Sequence, residues 1–142
     1  MAELLQPLAA CIQLGDDGKP FLRGFRCSSC GEAFLDHRRA CPRCAAVDSL
    51  RPTRLSDRGT LFSFTIVHRS FPHIKTPFIS AVVELTGGVY IKGNLEGVSP
   101  VPEQVRFNMP VRVQFNRVAA RESGRPDLLR YHFVPTEADT HE

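Results

Sequence analysis

No stretch of the 142 residues approaches the roughly 20 consecutive apolar residues that a membrane-crossing helix needs. No membrane partner is therefore expected. No run of five basic residues occurs either. The 18 Lys and Arg are scattered and often neighbour acids, as in Asp36-His37-Arg38-Arg39, and the formal charge is only +3. That balance gives no electrostatic mandate for nucleic acid, which calls for a basic patch or stripe. A basic n-region is missing from Met1-Ala2-Glu3-Leu4-Leu5-Gln6-Pro7, and Pro7 interrupts the apolar stretch, so no secretory signal is read. The expected location is the cytoplasm. The common catalytic motifs are missing too: there is no G-x-S-x-G, H-E-x-x-H, P-loop or G-x-G-x-x-G. No internal repeat or low-complexity tract is visible. What is present is the composition of a globular chain, 42% hydrophobic and 23% charged.

Five cysteines are present, and four fall in two pairs, Cys27-Ser28-Ser29-Cys30 and Cys41-Pro42-Arg43-Cys44. Without a secretory signal they read as thiolate ligands in a reducing compartment, not as disulfides. Each C-x-x-C is a tight turn that brings two sulfurs to one ion. Gly31 permits the backbone angles of the first turn, and Pro42 stiffens the second. Four thiolates close a tetrahedral sphere and leave no position for water, so the site reads as structural. Zinc is the expected metal, with iron as the substitute in a heterologous host. A lone redox pair would not need a second pair nearby. Cys11 reads as a buried apolar cysteine, and His37, between the pairs, as a solvated loop residue.

Period-two alternation predicts five strands, over 60–68, 78–85, 89–95, 111–118 and 129–134. Thr86-Gly87-Gly88 signals a hairpin, and Gly93 marks a place where a barrel strand bends or bulges. Pro100, Pro102 and Pro110 limit the segment before the fourth strand to a brief helical turn. Five short antiparallel strands in this length suit an OB-type barrel. The fold expected is mainly β: a rubredoxin-like zinc ribbon, then a five-stranded antiparallel barrel. Its parts are a leader over 1–22 holding one or two helical turns, the ribbon over 23–52, the OB-fold domain over 53–136 and a polar tail over 137–142.

No catalytic residue is assigned. His68 and His73 bracket the loop Arg69-Ser70-Phe71-Pro72-His73-Ile74-Lys75-Thr76-Pro77, but no carboxylate or thiol stands at a recognisable spacing from either. The loop is long and restricted by two prolines. With Arg69, Phe71 and Lys75 it suits a partner surface or an adenosine-phosphate ligand. The plainer alternative is a solvated loop with Phe71 tucked into the barrel mouth. Lys92, Arg112 and Arg117 read as the wet face of an antiparallel sheet.

These residues resemble a known family. Arg26 precedes the first C-x-x-C, a C-P-x-C follows, and then comes the strand Gly59-Thr60-Leu61-Phe62-Ser63-Phe64-Thr65-Ile66-Val67-His68-Arg69. A proline-bounded loop and the strand Ile79-Ser80-Ala81-Val82-Val83-Glu84-Leu85 complete the match. The chain is similar, over roughly residues 20–135, to the acyl-CoA-associated OB-fold family with a rubredoxin-like zinc ribbon, known as domain of unknown function 35. The resemblance implies an accessory subunit, not an enzyme: a partner of a thiolase-fold subunit (thiolase, sterol-carrier-type thiolase or aldolase, or synthase) that helps bind or enclose acyl-CoA in a hetero-oligomer. One alternative within the family is a partner of a hot-dog-fold enoyl-CoA hydratase. An alternative of another class is a single-stranded nucleic-acid module, since OB barrels and zinc ribbons serve that purpose elsewhere.

Overall fold

A computed structural model describes residues 6–7, 9–119 and 124–136. The expected polar tail and the first five residues of the leader lie outside them. The chain divides into two compact units, Met1–Leu55 with Phe115–Tyr131, and Ser56–Gln114 with His132–Glu142.

The first unit opens with strands β1 (Gln6–Pro7) and β2 (Ile12–Leu14). The expected helical turn is replaced by a hairpin: β2 pairs antiparallel with β3 (Pro20–Cys27), Ile12 opposite Leu22, and both side chains are buried. The Gly/Asp cluster between them is the turn, closed by Gly15 N–H donating to Lys19 O at 2.9 Å. A three-residue strand has too little alternation to identify itself until its partner is known. β3 pairs along its second half with β4 (Ala33–Phe34) and β5 (Leu50–Arg54), both antiparallel. Phe25, Cys27, Cys41 and Leu50 form the small core here, with Cys30 and Phe34 against it. Arg23 and Arg54 lie over the rings of Phe25 and Phe21, at 4.9 and 4.5 Å from the centroids, so arginine stacking covers apolar surface that so small a unit cannot bury.

The barrel strands are β6 (Arg58–Val67), β7 (Phe78–Leu85), β8 (Val89–Leu95), β9 (Pro110–Val118) and β10 (Leu128–Pro135). Their order is β10-β8-β7-β6-β9, and β9 pairs back to β10, which closes the ring. One expectation needs correction. The barrel is mixed, not antiparallel throughout, because β10 runs parallel to β8, with Phe133 opposite Leu95. The segment between β8 and β9 carries only a 3-10 turn, Pro102–Gln104. It returns the chain so that the last strand enters beside β8 in the same direction, a relation that alternation along one strand does not encode. The irregularity also sits elsewhere than at Gly93. β7 and β8 pair in unbroken register through Ala81 opposite Gly93, while the register of β6 shifts between Leu61 and Ser63. The extra residue is Phe62, exposed and edge-on to Tyr90 at 5.0 Å.

Alternation in β7 is strict. Ile79, Ala81, Val83 and Leu85 point inward, meeting Leu61, Ile91, Leu95, Val111 and Phe133 in the barrel core. His132 is also buried, and its Nε2 lies 3.0 Å from Gln114 Oε1. Among the described residues no helix is long and apolar enough to cross a membrane.

Candidate metal centre

The two cysteine turns are built alike. In the first, Cys27 N–H donates to Glu32 O at 2.8 Å and Gly31 N–H to Cys27 O at 2.9 Å. In the second, Cys41 N–H donates to Ala46 O at 2.9 Å and Ala45 N–H to Cys41 O at 2.8 Å. The residue after each second cysteine has left-handed backbone, Gly31 at φ 82° and Ala45 at φ 66°. Within each turn two amides aim at the first sulfur. Ser29 and Cys30 N–H lie 3.4 and 3.5 Å from Cys27 Sγ, and Arg43 and Cys44 N–H each lie 3.4 Å from Cys41 Sγ. Such donors stabilise thiolate over thiol.

The turns meet sulfur to sulfur. Cys27 Sγ is 3.7 Å from Cys44 Sγ, Cys30 Sγ is 3.7 Å from Cys41 Sγ, and all four lie within 4.8 Å of one another. A tetrahedron with zinc–sulfur bonds of about 2.3 Å has sulfur–sulfur edges of about 3.8 Å. A disulfide would require about 2.05 Å. The sulfurs therefore stand at the spacing of a shared ion, and the four cysteines can hold a metal such as zinc. Cys27 and Cys41 are buried, Cys30 is half-buried and Cys44 is exposed.

Electrostatics separates the sulfurs. Cys27 is brought down to about 6, chiefly by the Ser49 hydroxyl, with the Cys30 and Ser29 amides adding to it. Cys41 is also lowered: burial opposes ionisation, but the amides of Cys44 and Arg43 outweigh it. Cys30 is pushed up to about 11. The Glu32 backbone pulls it down, while desolvation and the sulfurs of Cys41, Cys27 and Cys44 push harder the other way. Metal binding requires the thiolate form, which the hydrogen bonds at Cys27 and Cys41 favour, and a cation's charge would offset the repulsion between sulfurs that raises Cys30.

Sequence reasoning did not single out Ser49. Its hydroxyl is buried, 3.2 Å from Cys27 Sγ, across 22 positions of chain. No spacing rule covers that separation. His37 is exposed, edge-on to Phe25 at 5.1 Å, and stands outside the sulfur cluster. Cys11 is half-buried, and desolvation is the main cause that raises its pKa.

Arg69, Phe71 and Lys75 all sit in the exposed loop between β6 and β7. Phe71 does not tuck into the barrel mouth. It is 69% exposed and stacks on His73, with centroids 6.0 Å apart at 12°. Ile74 is exposed as well, and Ile74 N–H donates to Phe71 O at 2.9 Å. No carboxylate pairs with His68 or His73 among the described residues, so nothing there organises a base.

Comparison with known proteins agrees with this architecture. Residues 52–116 match the family described as the ChsH2 C-terminal OB-fold domain. A DUF35 domain-containing scaffold protein of Methanocaldococcus jannaschii is 31% identical over 121 residues, 82% of each chain. The benzoylsuccinyl-CoA thiolase subunit BbsA of Thauera aromatica is 30% identical over 118 residues, 82% of this chain and 78% of that one. Among solved structures, a chain of the Ltp2-ChsH2(DUF35) aldolase superposes with a TM-score of 0.62 at 25% identity, over 81% of this chain and 84% of that one. Four converging sulfurs ahead of a closed OB barrel, with similarity running across both, make this chain a member of the DUF35 family.

Proposed function

We propose that the chain is a non-catalytic accessory subunit of a thiolase-type enzyme, with one structural zinc held by Cys27, Cys30, Cys41 and Cys44. The observation that carries the reading is the similarity to a named thiolase subunit over 118 residues, which takes in the cysteine pairs as well as most of the barrel. The site chemistry supports it. A four-thiolate sphere has no open position for substrate or water, and no second cluster of metal-ligating side chains occurs among the described residues.

The loop between β6 and β7 is the partner-facing element. An exposed aromatic ring beside Arg69 and Lys75 is a poor investment for a solitary domain and a good anchor at an interface. Acyl-CoA is long and anionic, and a second subunit can cover it and exclude water near the thioester. Arg69 and Lys75 supply cations for its phosphates, and Phe71 supplies a stacking face.

The test is co-expression with a thiolase-type enzyme encoded beside it, followed by size-exclusion chromatography and thiolase assay. A stable hetero-oligomer is expected. Phe71→Ala should weaken association roughly tenfold or more and leave the melting temperature of the isolated chain unchanged. Two separate peaks, with full thiolase activity in the enzyme alone, would sink the proposal.

A further inference from the structure

Residues 23–54 hold seven of the fifteen arginines and no lysine, against three carboxylates, Glu32, Asp36 and Asp48. A tetrathiolate on a divalent ion carries two negative charges, so this segment stays net positive with its metal bound. The register of β3 and β5 sets Arg26 directly opposite Arg51. Opposed residues of an antiparallel pair project from the same face, with Cβ atoms roughly 4.5–5.5 Å apart. Two guanidinium groups so placed repel each other.

Both are nevertheless held in position. Arg26 Nη1 donates to Gly31 O at 2.8 Å, and Arg51 Nη1 donates to Asp48 O at 2.8 Å. Gly31 and Asp48 both lie beyond the rung formed by Cys27 and Leu50, so each side chain reaches toward the cysteine end, Arg26 to the turn before β4 and Arg51 to the turn before β5. Among the described residues no carboxylate pairs with either. Glu32 is taken by Arg43 at 2.8 Å, and neither Asp36 nor Asp48 forms an ion pair with Arg26 or Arg51. Both arginines are exposed. Each guanidinium has five N–H donors; Arg26 uses one on Gly31 O, and Arg51 uses Nη1 on Asp48 O and, at 3.4 Å, on Leu50 O, so the Nε and Nη2 donors of both remain.

We propose that Arg26 and Arg51 form a phosphate-binding pair suited to a dianionic phosphate monoester. Charge decides between the oxyanions. A phosphate dianion balances both guanidinium groups and accepts bidentate bonds from each, whereas a carboxylate leaves one positive charge uncompensated. Assigning the phosphate to the nucleotide end of coenzyme A rests on the accessory-subunit reading. The pair itself does not.

The test is a titration of the reduced, metal-loaded, full-length protein with inorganic phosphate at constant ionic strength, followed through the arginine Nε–H signals. Saturable shifts are expected at Arg26 and Arg51, with a response to acetate at least roughly tenfold weaker. Arg26→Gln and Arg51→Gln should each cost roughly tenfold or more in affinity, as loss of charge-assisted hydrogen bonds does. Arg54→Gln, the control, should change affinity less than about twofold. Shifts spread over all arginines without saturation overturn the assignment, as does an equal response to acetate. Inorganic phosphate needs no enzyme partner, so failure here leaves the thiolase reading intact. Failure to co-purify leaves the arginine pair intact.

Discussion

Ser49 and the two residues with left-handed backbone set how the sulfurs behave. The Ser49 hydroxyl has one proton and two acceptors in reach, Cys27 Sγ and Ala46 O, each at 3.2 Å. With Cys27 ionised, the thiolate takes it. A hydrogen bond to the charged form lowers the proton affinity of that sulfur. Ser49→Ala should therefore raise the proton affinity, let protons displace the metal earlier on acidification, and move the pH midpoint of metal release upward by up to about one unit. A midpoint unchanged or shifted downward would remove Ser49 from the site. The backbone provides a paired test. A Cβ added to Gly31 meets nothing within 4 Å, so Gly31→Ala should cost only its left-handed backbone, about 1 kcal/mol in chemical denaturation. Ala45 already bears that strain at φ 66°. Ala45→Gly is the reverse exchange at a similar angle, so it should gain about what Gly31→Ala loses, about 1 kcal/mol.

Among the elements, β6 carries most of the specific pattern. Its register with β7 brings Gly59 opposite Leu85, and a Cβ at Gly59 would collide with the backbone oxygen of Glu84. That neighbour is backbone in the middle of a sheet and has no room to move. Gly59→Ala should destabilise the barrel by about 2–3 kcal/mol in urea unfolding, whereas the same change at Gly31 acts through backbone angle alone. An effect below that of Gly31→Ala would mean β6 and β7 are spaced more widely than they stand here. The barrel strands were readable to within about two residues, because alternation survives wherever one face is dry. The bulge at Phe62 was not readable. It leaves composition and apolar content unchanged, and only the pairing with β7 counts two residues against one.

At the scale of the whole molecule, a core of Phe25, Phe34 and Leu50 packed with three of the four cysteines is less than a segment of this size needs to fold unaided. Chelation of the reduced protein should therefore unfold residues 23–52. Amide exchange should accelerate at Cys27, Cys30, Cys41 and Cys44 while Val83, Ile91 and Val111 in the barrel core remain protected. Simultaneous loss of protection in β7 and β8 would mean that ribbon and barrel fold as one. The same experiment on Cys41→Ser should give the exchange pattern of the chelated wild type.

Two things were legible without coordinates. The spacing of the four cysteines predicted that their sulfurs converge where an ion could be held, because a C-x-x-C turn has few ways to point its sulfurs. The alternation of β6 to β10 dictated a barrel with one dry side. Tertiary structure alone decided the rest: Ser49 against Cys27 across 22 residues, Arg26 opposite Arg51, the parallel entry of β10 beside β8, and Phe71 facing solvent instead of the barrel. Local sequence encodes periodicity and turn geometry. Contacts between distant residues depend on where several strands end up together, and that information is distributed over the whole chain.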